Sequence, residues 1–249
     1  MNKRSDIKLR HIVPSMVTVF AICAGMTSVR MSLEGHLEFA LYYILLAVFL
    51  DAADGKLARF LDTASPFGAE LDTLADFFNF GIVPGILLYT TLYIDSPYSS
   101  LGWLAVLILA VCCALRLARF NLSTKSSDEK LTTDDFFVGV PAPALACLAL
   151  MPIFMHLYGF QTTDLPVLRA FYVMGIGLLA ISTIPTISIK HAKISRSLLP
   201  FAIVASVILV ACLMVYPWPT LIVANCLYLL SLPLSYRAHQ KQIKLQKAG

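Results

Sequence analysis

Five aspartates lie within 26 residues of a strongly apolar sequence, and four of them form two pairs at helical spacing. Asp51 and Asp54 are three residues apart, and Asp72 and Asp76 are four residues apart. Either spacing places both members of a pair on one face of an α-helix. A short turn around residues 63–66 would make the two helices antiparallel neighbours. The four carboxylates are therefore predicted to converge in one pocket.

Carboxylates that meet this closely need a positive charge between them, because like charges oppose one another's ionisation. Hard divalent cations prefer oxygen ligands, and Mg²⁺ or Mn²⁺ suits a site made of carboxylates, with waters and substrate phosphates completing the shell. Two such ions can hold the attacking and leaving oxygens of a phosphoryl displacement. The aspartates thus predict a phosphate-transfer site with Mg²⁺ or Mn²⁺, in two copies, as cofactor.

Small and polar residues beside the aspartates suit a phosphate-bearing ligand. Gly55, Ala58 and Gly68 would let a ligand approach the backbone closely. Arg59 can form two parallel hydrogen bonds to a phosphate, and the hydroxyl of Ser65 could donate to one from the turn. For Arg59 alone, a simple position at the water interface is the favoured interpretation. For four aspartates at two helical spacings, that interpretation leaves the pattern unexplained.

The composition excludes an ordinary soluble domain. Of 249 residues, 58% are hydrophobic and only 14% are charged, and the mean hydropathy is +0.77; soluble domains average about 25% charged residues. The six cysteines show no CxxC or Cys/His spacing, so they are interpreted as small apolar residues rather than ligands. The expected fold class is an all-α integral membrane protein.

Eight apolar stretches are long enough to cross a bilayer. They run approximately over residues 13–32, 37–58, 73–94, 101–121, 139–158, 167–188, 198–216 and 218–236. With a cytoplasmic N-terminus, 17 of the 19 Lys and Arg residues fall on the cytoplasmic side, as the positive-inside rule requires.

This charge distribution predicts a multi-pass protein of the cell (inner) membrane, with both termini and the aspartates facing the cytoplasm. Residues 1–249 are expected to form a single polytopic domain. Its catalytic core would cover about 13–188, followed by an additional C-terminal helix pair at about 198–236.

The aspartates belong to a longer pattern, D-x-x-D-G-x-x-A-R, eight residues, then G-x-x-x-D-x-x-x-D, which resembles the signature of the CDP-alcohol phosphatidyltransferases. The pattern is matched at Asp51, Asp54, Gly55, Ala58, Arg59, Gly68, Asp72 and Asp76. The resemblance implies the fold of that family and a homodimer. It also implies that the first three aspartates bind metal, and that Asp76 is both a ligand and the base that deprotonates the acceptor hydroxyl.

The resemblance further implies which residues contact the CDP-lipid. Gly55, Arg59 and Ser65 would do so, and the start of the first helix would line the nucleotide pocket. Ser15 and Thr18 occupy that place.

Three further stretches bear on the acceptor alcohol. They are Phe77–Pro84, which contains Asn79; Arg116–Asn121, which contains Arg119; and Gly139–Pro143. Together they resemble the membrane-type (type II) phosphatidylserine synthases, which implies CDP-diacylglycerol and L-serine as substrates. A pair of arginines would also suit the serine carboxylate. Either arginine could instead be a positive-inside residue or hold the lipid phosphate.

Other interpretations of the same sequence stay open. The acceptor could be choline or glycerol 3-phosphate, with the same donor. A more remote alternative is an ion-coupled transporter in which the aspartates form an ion site, with Gly175, Gly177 and Pro185 as helix breaks. No internal repeat supports it, and the aspartates are predicted at the interface rather than at the midplane. A purely structural membrane protein would leave the aspartates unexplained.

Overall fold

The structure is a computed structural model that describes residues 13–61, 65–125, 136–160, 165–182, 185–187 and 199–248. Its helices are α1 (Val13–Leu33), α2 (Leu37–Phe60), α3 (Pro66–Asp76), α4 (Val83–Leu92), α5 (Ser99–Lys125), α6 (Ala142–Ala149), α7 (Met151–Leu157), α8 (Pro166–Ile181), α9 (Leu199–Val215) and α10 (Pro217–Ala248). A π-helical segment, Phe77–Ile82, joins α3 to α4 without a break. Strands β1 (Phe136–Val138) and β2 (Pro185–Ile187) form a short antiparallel ribbon.

The prediction of a helical membrane protein is confirmed, with the short ribbon as an addition. Three described helical stretches are long and apolar enough to cross a bilayer, namely Val13–Leu33, Pro66–Leu92 and Ser99–Leu122. Pro166–Ile181 and Pro200–Val215 are shorter apolar helices. The eight predicted spans are compatible with this arrangement, since each has a helix or a pair of consecutive helices in the described chain.

Three predicted boundaries differ from the structure. The sixth span was expected to reach residue 188, but α8 ends at Ile181 and Pro185–Ile187 form β2. The other two differences have local reasons. The third span was expected to start at residue 73, but α3 starts at Pro66 because Ser65 caps it: the Ser65 hydroxyl accepts a hydrogen bond from Gly68 N at 3.0 Å. The fifth span is divided into α6 and α7 at Leu150, where Pro152 lacks the N–H that a continuous helix would use.

Helix α5 packs closely against its neighbours through glycines. A Cβ atom on Gly81 would lie 3.1 Å from Cys113 Cβ, and one on Gly177 would lie 3.2 Å from the Cα of Leu109. Small residues allow such close approach of helices in membranes. The π-helical segment and α8 therefore hold α5 from two sides. Gly177 therefore lies inside α8 and allows it to pack against α5. The transporter interpretation had treated the same residue as a helix break.

The last two helices differ in their surroundings. Most large apolar side chains of α9 are exposed, as expected for a helix that faces lipid. Helix α10 instead packs on the bundle: the Trp218 ring stacks on Phe154, with centroids 6.1 Å apart, and Asn225 Nδ2 donates to the Cys147 carbonyl at 2.8 Å. These contacts fix α10 against α6 and α7.

Candidate active site

The carboxylates of three aspartates meet between α2 and α3. One oxygen each from Asp51, Asp72 and Asp76 lies within 4.8 Å of the others, and all three residues are half-buried. The i,i+4 spacing on α3 and the placement of α2 beside it bring together three of the four carboxylates that were predicted to converge. The described Lys and Arg side chains form no salt bridge with any of the three.

The fourth aspartate, Asp54, lies beside this cluster and faces α1. Its side chain is only 3% exposed, and its Oδ2 accepts a hydrogen bond from Thr18 Oγ1 at 2.6 Å. Its other oxygen, Oδ1, is buried and accepts no hydrogen bond from the part of the chain that the structure describes. Thr18, predicted to line the nucleotide pocket, therefore holds a predicted metal ligand in place.

These residues fit a divalent cation. Three carboxylates converge without a paired cation, and a fourth nearby carboxylate keeps one buried oxygen unsatisfied. Buried polar atoms are nearly always hydrogen-bonded or coordinated, and an all-oxygen donor set of this kind suits Mg²⁺ or Mn²⁺. Asp51, Asp54, Asp72 and Asp76 are the residues that would hold it.

The N-terminus of α3 gathers three residues predicted to contact the CDP-lipid. The Ser65 hydroxyl accepts from Gly68 N, which leaves the hydroxyl hydrogen free to donate to a ligand. A Cβ on Gly68 would lie 3.1 Å from Ser65 Oγ and 3.8 Å from Ser15 Oγ. Helices α1 and α3 thus bring Ser15, Ser65 and Gly68 to one place.

The end of α2 carries the remaining CDP-lipid candidates. The exposed Arg59 donates from Nε to the Gly55 carbonyl at 3.0 Å, one turn back along the same helix. A Cβ on Gly55 would lie 4.0 Å from an Arg59 nitrogen and would touch nothing closer. The backbone of Ala58 lies in α2, and its side chain is outside the described part of the structure.

The two arginines predicted to bind the acceptor have different surroundings. Arg119 donates to the Ile181 carbonyl at 2.7 Å and to the Ser182 carbonyl at 3.3 Å, and so caps the end of α8. Arg116 lies near enough to Asp76 for their charges to interact. The structure therefore separates the pair: Arg119 ties α5 to α8, and Arg116 lies within electrostatic range of Asp76.

The two predicted asparagines also differ. Asn121 Nδ2 donates to the Thr73 hydroxyl at 3.1 Å, beside Asp72. Asn79 is fully buried in the π-helical segment, three residues after Asp76, and neither atom of its amide has a hydrogen-bond partner among the described residues. Its Oδ1 faces Gly25 of α1 so closely that a Cβ there would collide with it. π-helical segments are frequent at functional sites.

One polar residue near the site was missed from the sequence. Tyr228 of α10 packs against the core, and its hydroxyl is buried without a partner in the described chain. It lies within electrostatic range of Arg116. The sequence offered only a weak indication, since Asn225 and Tyr228 are polar residues three apart in the otherwise apolar stretch 221–230.

The sequence matches a known protein family and is similar to several named proteins. A model of the CDP-alcohol phosphatidyltransferase family matches residues 11–237. Three similar proteins are named CDP-diacylglycerol–serine O-phosphatidyltransferase. The one from Mycobacterium leprae is 41% identical over 176 residues, which cover 70% of this chain and 58% of that protein. The one from Mycobacterium bovis is 33% identical over 232 residues, 92% and 80% of the two chains. The one from Bacillus subtilis is 32% identical over 175 residues, 70% and 89%.

Proposed function

The chain belongs to the CDP-alcohol phosphatidyltransferase family, and we propose that it transfers the phosphatidyl group of CDP-diacylglycerol to the hydroxyl of L-serine, giving phosphatidylserine and CMP. The observation that carries this proposal is the convergence of Asp51, Asp72 and Asp76 in a membrane protein whose relatives bear the name of that activity. The acidic cluster would be unexplained in a structural protein, because carboxylates in membrane segments are costly.

Asp76 is the residue we assign as general base. It accepts the proton of the serine hydroxyl, and the serine oxygen then forms a bond to the lipid-side phosphorus. The bond between that phosphorus and the CMP oxygen breaks, and CMP leaves with the electron pair. The position of Asp76 supports this role, since it ends α3 beside the other carboxylates and near the positive charge of Arg116.

The family is divalent-metal dependent, and in our proposal Asp51, Asp54 and Asp72 hold the metal together with Asp76. When bound, Mg²⁺ or Mn²⁺ ions, two in number, would neutralise the phosphate oxygens and stabilise the charge that develops on them. Thr18 positions Asp54 through its 2.6 Å hydrogen bond.

The CDP-lipid is proposed to lie across the cytoplasmic ends of α1, α2 and α3. Ser15 and Ser65 would donate hydroxyl hydrogens to its phosphates, and Gly68 would leave room for them. Arg59 would turn its guanidinium from the Gly55 carbonyl to the diphosphate, which its exposed position allows. Asn79 and Asn121 are proposed to act on the acceptor side of the same pocket.

The protein is a multi-pass membrane protein. We further propose that it lies in the inner membrane, with both termini and the aspartates on the cytoplasmic side, and that it forms a homodimer. The lysine and arginine distribution supports this orientation. A serine acceptor is water-soluble, so a cytoplasmic pocket would give it direct access.

The proposal is tested with the purified protein, CDP-diacylglycerol, Mg²⁺ or Mn²⁺, and a panel of serine, choline and glycerol 3-phosphate. We expect CMP release and a new phospholipid with serine alone. Product formed only with choline or only with glycerol 3-phosphate would replace serine as the acceptor. Absence of CMP release with every alcohol would refute the transferase assignment and leave the ion-site interpretation to be tested.

A further inference from the structure

Helix α5 places Arg116 directly across from the end of α3, and two contacts on either side of it fix this alignment. On one side, Cys113 packs against Gly81 of the π-helical segment. On the other, Asn121 donates to Thr73 at 3.1 Å. Since the two helical stretches run antiparallel between these contacts, the intervening turn of α5 faces the intervening turn around Asp76. Arg116 lies on that turn.

Arg116 keeps an unused donor in this position. Its Nε is buried and has no hydrogen-bond partner among the residues that the structure describes. Arg119, one turn further along α5, instead donates to two backbone carbonyls. A buried guanidinium N–H without an acceptor is uncommon in folded proteins. It therefore indicates a ligand that accepts hydrogen bonds.

A second unused donor comes from the last helix. Tyr228 lies one turn after Asn225, whose amide fixes α10 to the Cys147 carbonyl at 2.8 Å. Its ring packs against the bundle core, while its buried hydroxyl has no hydrogen-bond partner within the described ranges. The Tyr228 hydroxyl lies within electrostatic range of the Arg116 guanidinium, so the two unused donors belong to the same region of the bundle.

We propose that Tyr228 Oη and Arg116 Nε bind the carboxylate of the acceptor amino acid, so that Tyr228 of the C-terminal helix helps to determine acceptor specificity. This proposal rests on the proposed function. Both groups donate, and a carboxylate has two oxygens that accept. Binding there places the acceptor beside Asp76, which takes the hydroxyl proton. An alcohol without an anionic group, such as choline, would leave both buried donors unsatisfied and be disfavoured.

The experiment compares Tyr228→Phe with a matched control, Tyr172→Phe. Tyr172 is also a membrane-helix tyrosine, but its hydroxyl donates to the Leu148 carbonyl at 2.8 Å. We expect Tyr228→Phe to raise the KM for serine roughly tenfold, the usual effect of losing a hydrogen bond to a charged group. Its KM for CDP-diacylglycerol and its kcat should stay within about twofold of wild type. The control should leave the KM for serine unchanged.

A second variant, Arg116→Lys, tests the same site independently, so the proposal can still be tested if Tyr228→Phe does not fold. It keeps the positive charge but removes Nε, and we expect it also to raise the KM for serine. An unchanged KM for serine in both folded variants would overturn the assignment. A rise in the KM for CDP-diacylglycerol instead would overturn it too, because the donors would then bind the lipid phosphate. A wild-type protein that makes no phosphatidylserine would refute the proposed function itself, which the same assay reveals.

Discussion

The hydrogen bond from Thr18 to Asp54 gives the sharpest test of how α1 supports the aspartate site. Thr18→Val replaces the hydroxyl by a methyl group of nearly the same size. Asp54 is 3% exposed, and its Oδ1 already accepts no hydrogen bond from the described chain, so the substitution removes the 2.6 Å bond to its other oxygen. A hydrogen bond to a charged group contributes about 1.5–3 kcal/mol. We therefore expect the free energy of unfolding to fall by about 2 kcal/mol.

The assay is an SDS titration of the protein in mixed micelles, without added metal, with unfolding followed by circular dichroism. Thr18→Ser is the control, because it keeps the hydroxyl and loses one methyl group, which costs about 1 kcal/mol or less. The same Thr18→Val protein should need a higher Mn²⁺ concentration for half-maximal activity, since Asp54 would be less firmly positioned. A Thr18→Val protein as stable as wild type, or a Thr18→Ser protein as unstable as Thr18→Val, would refute the reasoning.

Three further variants address other parts of the site. Asp76→Asn should abolish turnover while CDP-diacylglycerol still binds and the fold persists; near-normal activity would remove Asp76 as the base. Gly25→Ala should push a Cβ into the Asn79 amide and lower the free energy of unfolding by about 1–3 kcal/mol. The double variant with Asn79→Ser should recover part of that loss, and no recovery would show that the two positions are not coupled. Arg119→Met should lower the free energy of unfolding by about 2 kcal/mol by removing the cap on α8. An unchanged unfolding curve would contradict that structural role.

The parts of the fold and site that could be predicted depend on local spacing. The i,i+3 and i,i+4 pairs from Asp51 to Asp76 are each set within one helix, so a short connection was enough to predict that they meet. The membrane helices follow from the length of apolar runs, which does not depend on tertiary contacts. The start of α3 was placed too late because Glu70 and Asp72 lower the hydropathy of residues 66–72, and the Ser65 cap that begins the helix is not visible in hydropathy.

The parts that could not be predicted depend on contacts between distant segments. Arg116 and Arg119 are i,i+3 on α5 and looked equivalent as carboxylate ligands. In the structure Arg119 donates hydrogen bonds to the end of α8, and this tertiary contact separates its role from that of Arg116. Tyr228 could not be placed near the site from sequence, because its position depends on how α10 packs against α6 and α7.

The most direct test of the central claim follows the oxygen of the serine hydroxyl. The purified protein is given CDP-diacylglycerol and L-serine labelled with ¹⁸O in its side chain, and the products are analysed by mass spectrometry. Attack of the serine oxygen on the lipid-side phosphorus predicts phosphatidylserine that retains the label and CMP that carries none. Labelled CMP, unlabelled phosphatidylserine, or no phosphatidylserine at all would contradict the account.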